Sequence, residues 1–195
     1  MKKVVIHSER RIFDGFFKLY EAEVSFERFD GAMTHPMKRL CFERGDSVAA
    51  LLYNRDSQNV LLVEQFKYPT YEHGPGWITE TVSGILESGE SPESALRREV
   101  LEEVGYEVAT LEPIATFYVS PGGCSERVFL YYAEVTGADK VADGGGAQGE
   151  GEDIRTVELS LEELDSRLTE GSIQDAKTLV GLQWLNKRLD STRKR

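Results

Sequence analysis

Three glutamates offer the clearest chemistry in this chain of 195 residues. Glu99, Glu102 and Glu103 fall at i, i+3 and i+4 of the run SPESALRREVLEEVGY, so a helix there sets all three carboxylates on one face within a turn. Like charges so spaced repel by about 0.2–0.5 kcal/mol per pair. A hard divalent cation taking oxygen ligands reverses that cost, and with no thiolate or imidazole beside them the carboxylates suit Mg²⁺ or Mn²⁺. Mg²⁺ takes one or two carboxylates and leaves positions for phosphate and water, so the chemistry indicated is attack on a phosphate ester or anhydride. For three glutamates alone, a solvated acidic helix face is the plain alternative. The helix has defined ends: Ser91 as N-cap, Pro92 at the first helical position, Glu93 in the first turn and Gly105 as the stop.

A wider pattern decides between the two. Gly84, five residues, Glu90, seven residues, Arg98-Glu99, Val100, one residue, Glu102-Glu103, one residue, Gly105 and Tyr106 together resemble the Nudix box. Tyr106 is the one departure, since the family has an aliphatic residue at that packing position. The resemblance extends over about residues 8 to 189. Pro121, in Ser120-Pro121-Gly122-Gly123, lies sixteen residues beyond Gly105 and resembles the marker of the ADP-ribose pyrophosphatase branch. Ser125-Glu126-Arg127, Glu150-Gly151-Glu152-Asp153-Ile154-Arg155 and Gly181-Leu182-Gln183-Trp184-Leu185 are similar to that branch too, as are Gly15-Phe16-Phe17, Phe42-Glu43-Arg44-Gly45 and Glu64-Gln65-Phe66.

The elements that must position these residues read as strands, helix, strands, helices. Phe16 to Glu27 alternates like a half-buried strand, Asp30-Gly31 marks a hairpin, and a return strand is predicted over Met33 to Phe42 with Pro36 at an edge or bulge. Ser47 to Tyr53, Val60 to Tyr68 and Trp77 to Val82 follow as strands, with Pro69 to Gly76 a loop. After the acidic helix come strands at Thr110 to Ser120, Arg127 to Thr136 and Ile154 to Leu159, then helices at Leu161 to Leu168 and Ile173 to Leu189. Gly137 to Asp153 is glycine-rich, acidic and long for an unstructured loop. The fold class is α+β, a mixed β-sheet between helices, which agrees with the Nudix α/β/α sandwich, plus an N-terminal antiparallel hairpin. Residues 1–45 are assigned to the N-terminal strands and 46–195 to the hydrolase domain, within one structural unit.

Composition narrows the partners. The chain is 40% hydrophobic and 29% charged, with no apolar run for a membrane span. Its net charge of −11 opposes binding to nucleic acid or an anionic membrane. The start MKKVVIHSER has too short an apolar run for a signal peptide, and Cys41 and Cys124 make no disulfide framework, so a reducing cytoplasm is expected. His7, His35 and His73 have no ligand spacing and read as structural or surface residues.

The resemblance implies roles for particular residues. Glu99, Glu102 and Glu103 bind the metal, Glu103 foremost, with the backbone carbonyl of Ser83 joining them. Glu80 matches a glutamate near that cluster and could act through water. Arg98 orients the acids through a salt bridge to Glu90, which can coexist with an i,i+4 pair to Glu102. Glu150, with Glu152 as second choice, activates the attacking water. Arg39 and Lys67 lie near phosphate or terminal ribose, Phe16 near the nucleobase, and Pro121 and Glu126 in the substrate site. Ordinary core packing is the competing reading for Phe16. The branch has arginine at the Lys67 position, and lysine there keeps the charge without the planar fork. The implied reaction is Mg²⁺-dependent hydrolysis of ADP-ribose to AMP and ribose 5-phosphate. GDP-mannose or UDP-glucose fits the same motifs, and a nucleotide-sensing domain without catalysis is the alternative of another class. The implied assembly is a homodimer with swapped N-terminal strands completing each site.

Overall fold

The computed structural model describes residues 2–147, 149 and 151–193, so Glu150 lies outside the described residues. The chain forms two compact units, Met1–Asp46 with Tyr118–Arg127, and Ser47–Phe117 with Val128–Arg195.

The first unit is built on an antiparallel sheet in the order β1 (Val4–Asp14), β2 (Lys18–Phe26), β3 (Met37–Glu43). The predicted hairpin is therefore part of a three-stranded sheet. β1 gave no strand signal because it is exposed along its whole length, so no half-buried alternation marks it. The return strand begins at Met37, directly after Pro36, and only an isolated Glu27–Met33 bridge precedes it. The segment Tyr118–Arg127 belongs to this unit: Phe42 N–H donates to the Gly123 carbonyl at 2.7 Å, and Asp46 accepts from Arg127 Nε at 3.1 Å.

The second unit holds a mixed sheet of strands β4 (Ser47–Asn54), β5 (Asn59–Phe66), β6 (Trp77–Glu80), β7 (Val82–Ile85), β8 (Glu112–Tyr118), β9 (Arg127–Val135) and β10 (Arg155–Ser160). Its main path runs β10-β5-β4-β9-β8, with β4 and β9 parallel. β4 and β5 pair with each other only at Leu52–Asn54; beyond that they separate, β5 pairing with β6 and β4 with β7. The predicted single strand Trp77 to Val82 is thus two, because the chain turns at Thr81, whose N–H goes to the Thr178 hydroxyl instead of a neighbouring strand. A short helix, α1 (Tyr68–Tyr71), with proline in its first turn, replaces the first part of the predicted loop at Pro69 to Gly76.

β4 is buried on both faces, as its nearly unbroken apolar sequence requires. Val48, Ala50 and Leu52 pack with Leu96, Val100 and Val104 of α2 (Pro92–Val104), while Leu51 packs with Leu164 of α3 (Leu161–Glu170) and Leu182 and Leu185 of α4 (Ala176–Arg193). Helix layers on both faces of one sheet give the expected α/β/α sandwich. α4 starts at Ala176 where a start at Ile173 is predicted, since Asp175 caps it by accepting from Thr178 N–H at 2.8 Å.

Candidate active site

The acidic helix follows its sequence closely. The Ser91 hydroxyl accepts from Ser94 N–H, and Gly105, at φ 77°, closes the helix by donating to the Leu101 carbonyl. The apolar stripe Ala95, Leu96, Val100 and Val104 is buried against the sheet, which fixes the rotation of the helix and hence the direction of its glutamates.

Arg98 gathers the acids. Its Nη1 donates to Glu99 at 2.7 Å and to Glu102 at 3.2 Å, while Nη2 donates to Glu90 at 3.2 Å. Arg98 thus bridges back to Glu90 and also forms the i,i+4 pair with Glu102. Burial alone would lower its pKa, but bonds and charge from Glu90 and Glu99 hold it above the ordinary arginine value. Glu99 lies against Gly84, where a Cβ would come 1.9 Å from its carboxyl carbon. Glycine at 84 is thus a matter of space, keeping a cradle that the Glu99 carboxylate fills.

Glu103 is only 2% exposed. One carboxylate oxygen accepts from Ser83 N–H at 3.3 Å, which places the β7 backbone beside it. Burial, then the charges of Glu99 and Glu80, push its pKa up to about 9, against the opposing pull of Lys67 and the Ser83 bond. Burial likewise raises Glu99 despite Arg98. Among the described residues no three His, Cys, Asp or Glu side chains converge on a single point, and Glu99 and Glu102 share Arg98 as their cation. The donor set nevertheless fits a hard divalent ion: three carboxylates within one helical turn, one of them buried beside the charges of Glu99 and Glu80.

The glycine-rich loop is ordered by this helix. Gly145 N–H donates to the Glu103 carbonyl at 2.9 Å, Gly146 N–H to Glu102 at 3.0 Å, and Val141 and Ala142 N–H both to Gly105. The last carbonyls of α2 are thus capped by a distant segment. Gly144 has no room for a side chain, since a Cβ would lie 2.6 Å from the Glu103 carbonyl oxygen. The same loop brings Glu152 close enough to raise the pKa of Glu99 by its charge, and Glu152 accepts from Ala147 N–H at 3.1 Å.

Lys67, at the N-cap of α1, lies 3.3 Å from Glu80, a 4% exposed carboxylate at the end of β6. Sequence reasoning did not single out the rest of this cluster. Lys177 donates to Glu80 at 2.8 Å and to Asp175 at 2.7 Å. The available signal was Asp175, three residues before Thr178 and directly ahead of an apolar periodic run, which marks a helix start.

Phe16, Arg39, Pro121 and Glu126 belong to the first unit. Phe16 is 85% exposed and meets Phe17 edge to face at 4.7 Å, so it fills no core. Arg39 is exposed, with Nη1 donating to the Lys38 carbonyl at 2.9 Å. Glu126 is buried and paired with Arg44 at 3.4 Å. Pro121 is exposed in the turn between β8 and β9.

A NUDIX domain profile matches residues 43–180. A GDP-mannose pyrophosphatase of an Enterobacter species is 35% identical over 185 residues, covering 94% of this chain and 95% of its own. An ADP-ribose pyrophosphatase of Shigella flexneri is 36% identical over 183 residues, covering 93% of this chain and 87% of its own. The crystal structure of an ADP compounds hydrolase superposes with a TM-score of 0.74 at 18% identity, over 97% of this chain and 96% of that one.

Proposed function

The chain belongs to the NUDIX family and is a hydrolase, and from that premise we propose that it cleaves the pyrophosphate bond of ADP-ribose, giving AMP and ribose 5-phosphate. The observation that carries the reading is the acid cluster on and before α2: Glu99 and Glu102 of the helix and Glu90 ahead of it joined through Arg98, with buried Glu103 beside the Ser83 backbone. Glu99, Glu102, Glu103 and the Ser83 carbonyl would hold Mg²⁺, with Mn²⁺ as a substitute. When bound, the cation polarises the diphosphate and lowers the pKa of water.

The other roles belong to the chain's own side chains. Arg98 keeps Glu99 and Glu102 aligned while Gly84 leaves Glu99 its space. Glu150 or Glu152 takes the proton from the attacking water; Glu152 has one carboxylate oxygen fixed by a backbone N–H. Lys67 meets the diphosphate as a point charge. Phe16, with its ring open to solvent, stacks on the base, and Arg39, Pro121 and Glu126 complete the substrate site. The N-terminal sheet serves a homodimer in which swapped strands reach the neighbour's site. Its β1 is a long exposed edge with Val4, Ile6 and Phe13 facing outward, which supports that assembly. The net charge of −11 supports a small-molecule substrate over nucleic acid, and two free cysteines support a reducing cytoplasm. No described helix is long and apolar enough to cross a membrane.

Hydrolysis of GDP-mannose is the second reading, favoured by relatives so named at almost the same identity. A panel of ADP-ribose, GDP-mannose, UDP-glucose and NADH with Mg²⁺ decides between them. The expected outcome is the highest kcat/KM on ADP-ribose. A higher value on GDP-mannose would reassign the substrate, and no turnover of any of the four would overturn the reading.

A further inference from the structure

Two neighbouring residues in the first turn of α4 join two neighbouring residues at the end of β6. The Thr178 hydroxyl accepts from Thr81 N–H at 2.8 Å and donates to Asp175 at 2.7 Å, so both its bonding directions are committed. One residue earlier on each segment, Lys177 Nζ donates to Glu80 Oε2 at 2.8 Å and to Asp175 Oδ1 at 2.7 Å. Glu80 is thereby held from behind by a lysine that has little freedom of its own.

The two oxygens of Glu80 are bound unequally. Oε2 has the Lys177 hydrogen bond, whereas among the described residues buried Oε1 has no hydrogen bond, only the Lys67 ammonium 3.3 Å away as an ion pair. The two lysines differ in the same sense, with 15% of the Lys177 side chain exposed against 39% for Lys67. Lys177 is therefore the fixed counter-ion of Glu80 and Lys67 the removable one. A buried carboxylate deprived of its fixed cation depends on whatever cation remains, because its own charge is costly to bury alone.

We infer that Lys177 is a positioning residue for the hydrolysis: by neutralising Glu80 it leaves the Lys67 ammonium free to turn from that carboxylate to the diphosphate of the substrate. The inference rests on the proposed contact between Lys67 and the diphosphate. Without Lys177, Glu80 retains Lys67 as its one close cation among the described residues and withholds it from the substrate. Asp175 contributes by orienting Lys177 while capping α4.

The test is the dissociation constant of ADP-ribose measured by calorimetry in EDTA, where metal-dependent turnover is suppressed. Lys67→Met should weaken binding about tenfold, the scale of one charge-assisted contact to phosphate. Lys177→Met should weaken it about fivefold or more, and adding Glu80→Gln to that variant should restore the affinity to within about twofold of Glu80→Gln alone, as coupled neighbours require. A packing role for Lys177 gives no such rescue. Glu80→Gln by itself releases Lys67 and should bind at least as tightly as the wild type; this near-isosteric change keeps the test open should Lys177→Met fail to fold. If Lys67→Met binds like the wild type, the diphosphate contact itself is wrong. If Lys67→Met weakens binding but Lys177→Met does not, or Glu80→Gln fails to rescue it, or Glu80→Gln alone binds more weakly, the role of Lys177 is overturned while the Lys67 contact stands.

Discussion

At the scale of single residues, Glu103 and Glu102 are neighbours in sequence with opposite surroundings. Glu102 points to Arg98 at the surface of α2, whereas Glu103 is sealed between helix and sheet beside Ser83. A buried carboxyl with a pKa near 9 has no purpose in packing, since an apolar side chain of that size would be more stable there. Under the proposed function it serves a cation. Replacing it by glutamine keeps the shape and one acceptor for Ser83 N–H while removing the charge. Glu103→Gln should therefore lower Mg²⁺-dependent kcat by about 10²–10³-fold, the effect of losing several kcal/mol of metal-borne stabilisation. Circular dichroism and ADP-ribose affinity in EDTA should stay near wild type. An active Glu103→Gln variant would remove the residue from the metal set.

At the scale of elements, α2 and the loop beyond it form one device. Gly105 turns the chain left-handed at φ 77°, and its Cβ position is already taken, with the Ala142 carbonyl oxygen only 2.0 Å away. Gly171 closes α3 with a similar φ of 72° but has open space where a Cβ would be. Alanine at either site incurs the left-handed penalty of about 1–2 kcal/mol. Only at 105 must it also push the acidic loop off the end of the helix. Gly105→Ala should thus lower Tm by about 5 °C or more and clearly further than Gly171→Ala, which should lose about 2–5 °C. Limited proteolysis should cut residues 141–147 faster in the former variant alone, and equal effects at the two sites would refute the coupling. This difference was not legible in the sequence. Gly105 reads as a helix stop because capping is local, whereas the approach of Ala142 is tertiary. The division between β6 and β7 was hidden for the same reason, being set by a hydroxyl 97 residues away. What was legible is what rests on local pattern. The apolar run that opens β5, the Ser91–Pro92 start of α2 and the spacing of Arg98 with its glutamates all stand in the structure as the sequence presents them. A second element-scale prediction concerns the Tyr118–Arg127 segment, tied to the end of its own unit by Asp46. The Arg127 side chain holds Asp46 below its ordinary pKa, so the pair stabilises at pH values above about 4 and is lost as pH falls through the depressed value. The pair is partly exposed, so solvent screens it and its contribution to stability is small. Asp46→Asn should accelerate amide exchange near Arg127 at pH 6, with the gap from wild type closing by pH 2; a constant gap would show that the charge is irrelevant.

At the scale of the whole molecule, the unusual feature is the strand that opens the chain. β1 runs for eleven residues, Val4–Asp14, and every one is exposed, including Val4, Val5, Ile6, Ile12 and Phe13. Edge strands of monomers are commonly short, charged or broken to prevent pairing with another chain. This one has the charges, Glu9 to Arg11, in its middle, and two register shifts against β2, yet keeps apolar clusters at both ends. Central charge gives solubility and terminal apolar clusters give adhesion, a combination suited to a specific partner with matching ends. A second copy of the same chain supplies such ends by symmetry, since a two-fold interface pairs each patch with its equivalent or complement. Light scattering at micromolar concentration should therefore report twice the chain mass of 21.9 kDa. The double substitution Ile6→Lys with Phe13→Lys places charge on two exposed positions and should leave the fold intact while giving a monomer. If the swapped strands complete the neighbour's site, that monomer should lose most of its kcat/KM on ADP-ribose and regain none of it on dilution or concentration. A wild-type protein that is monomeric and fully active in dilute solution would remove both the dimer and the shared site.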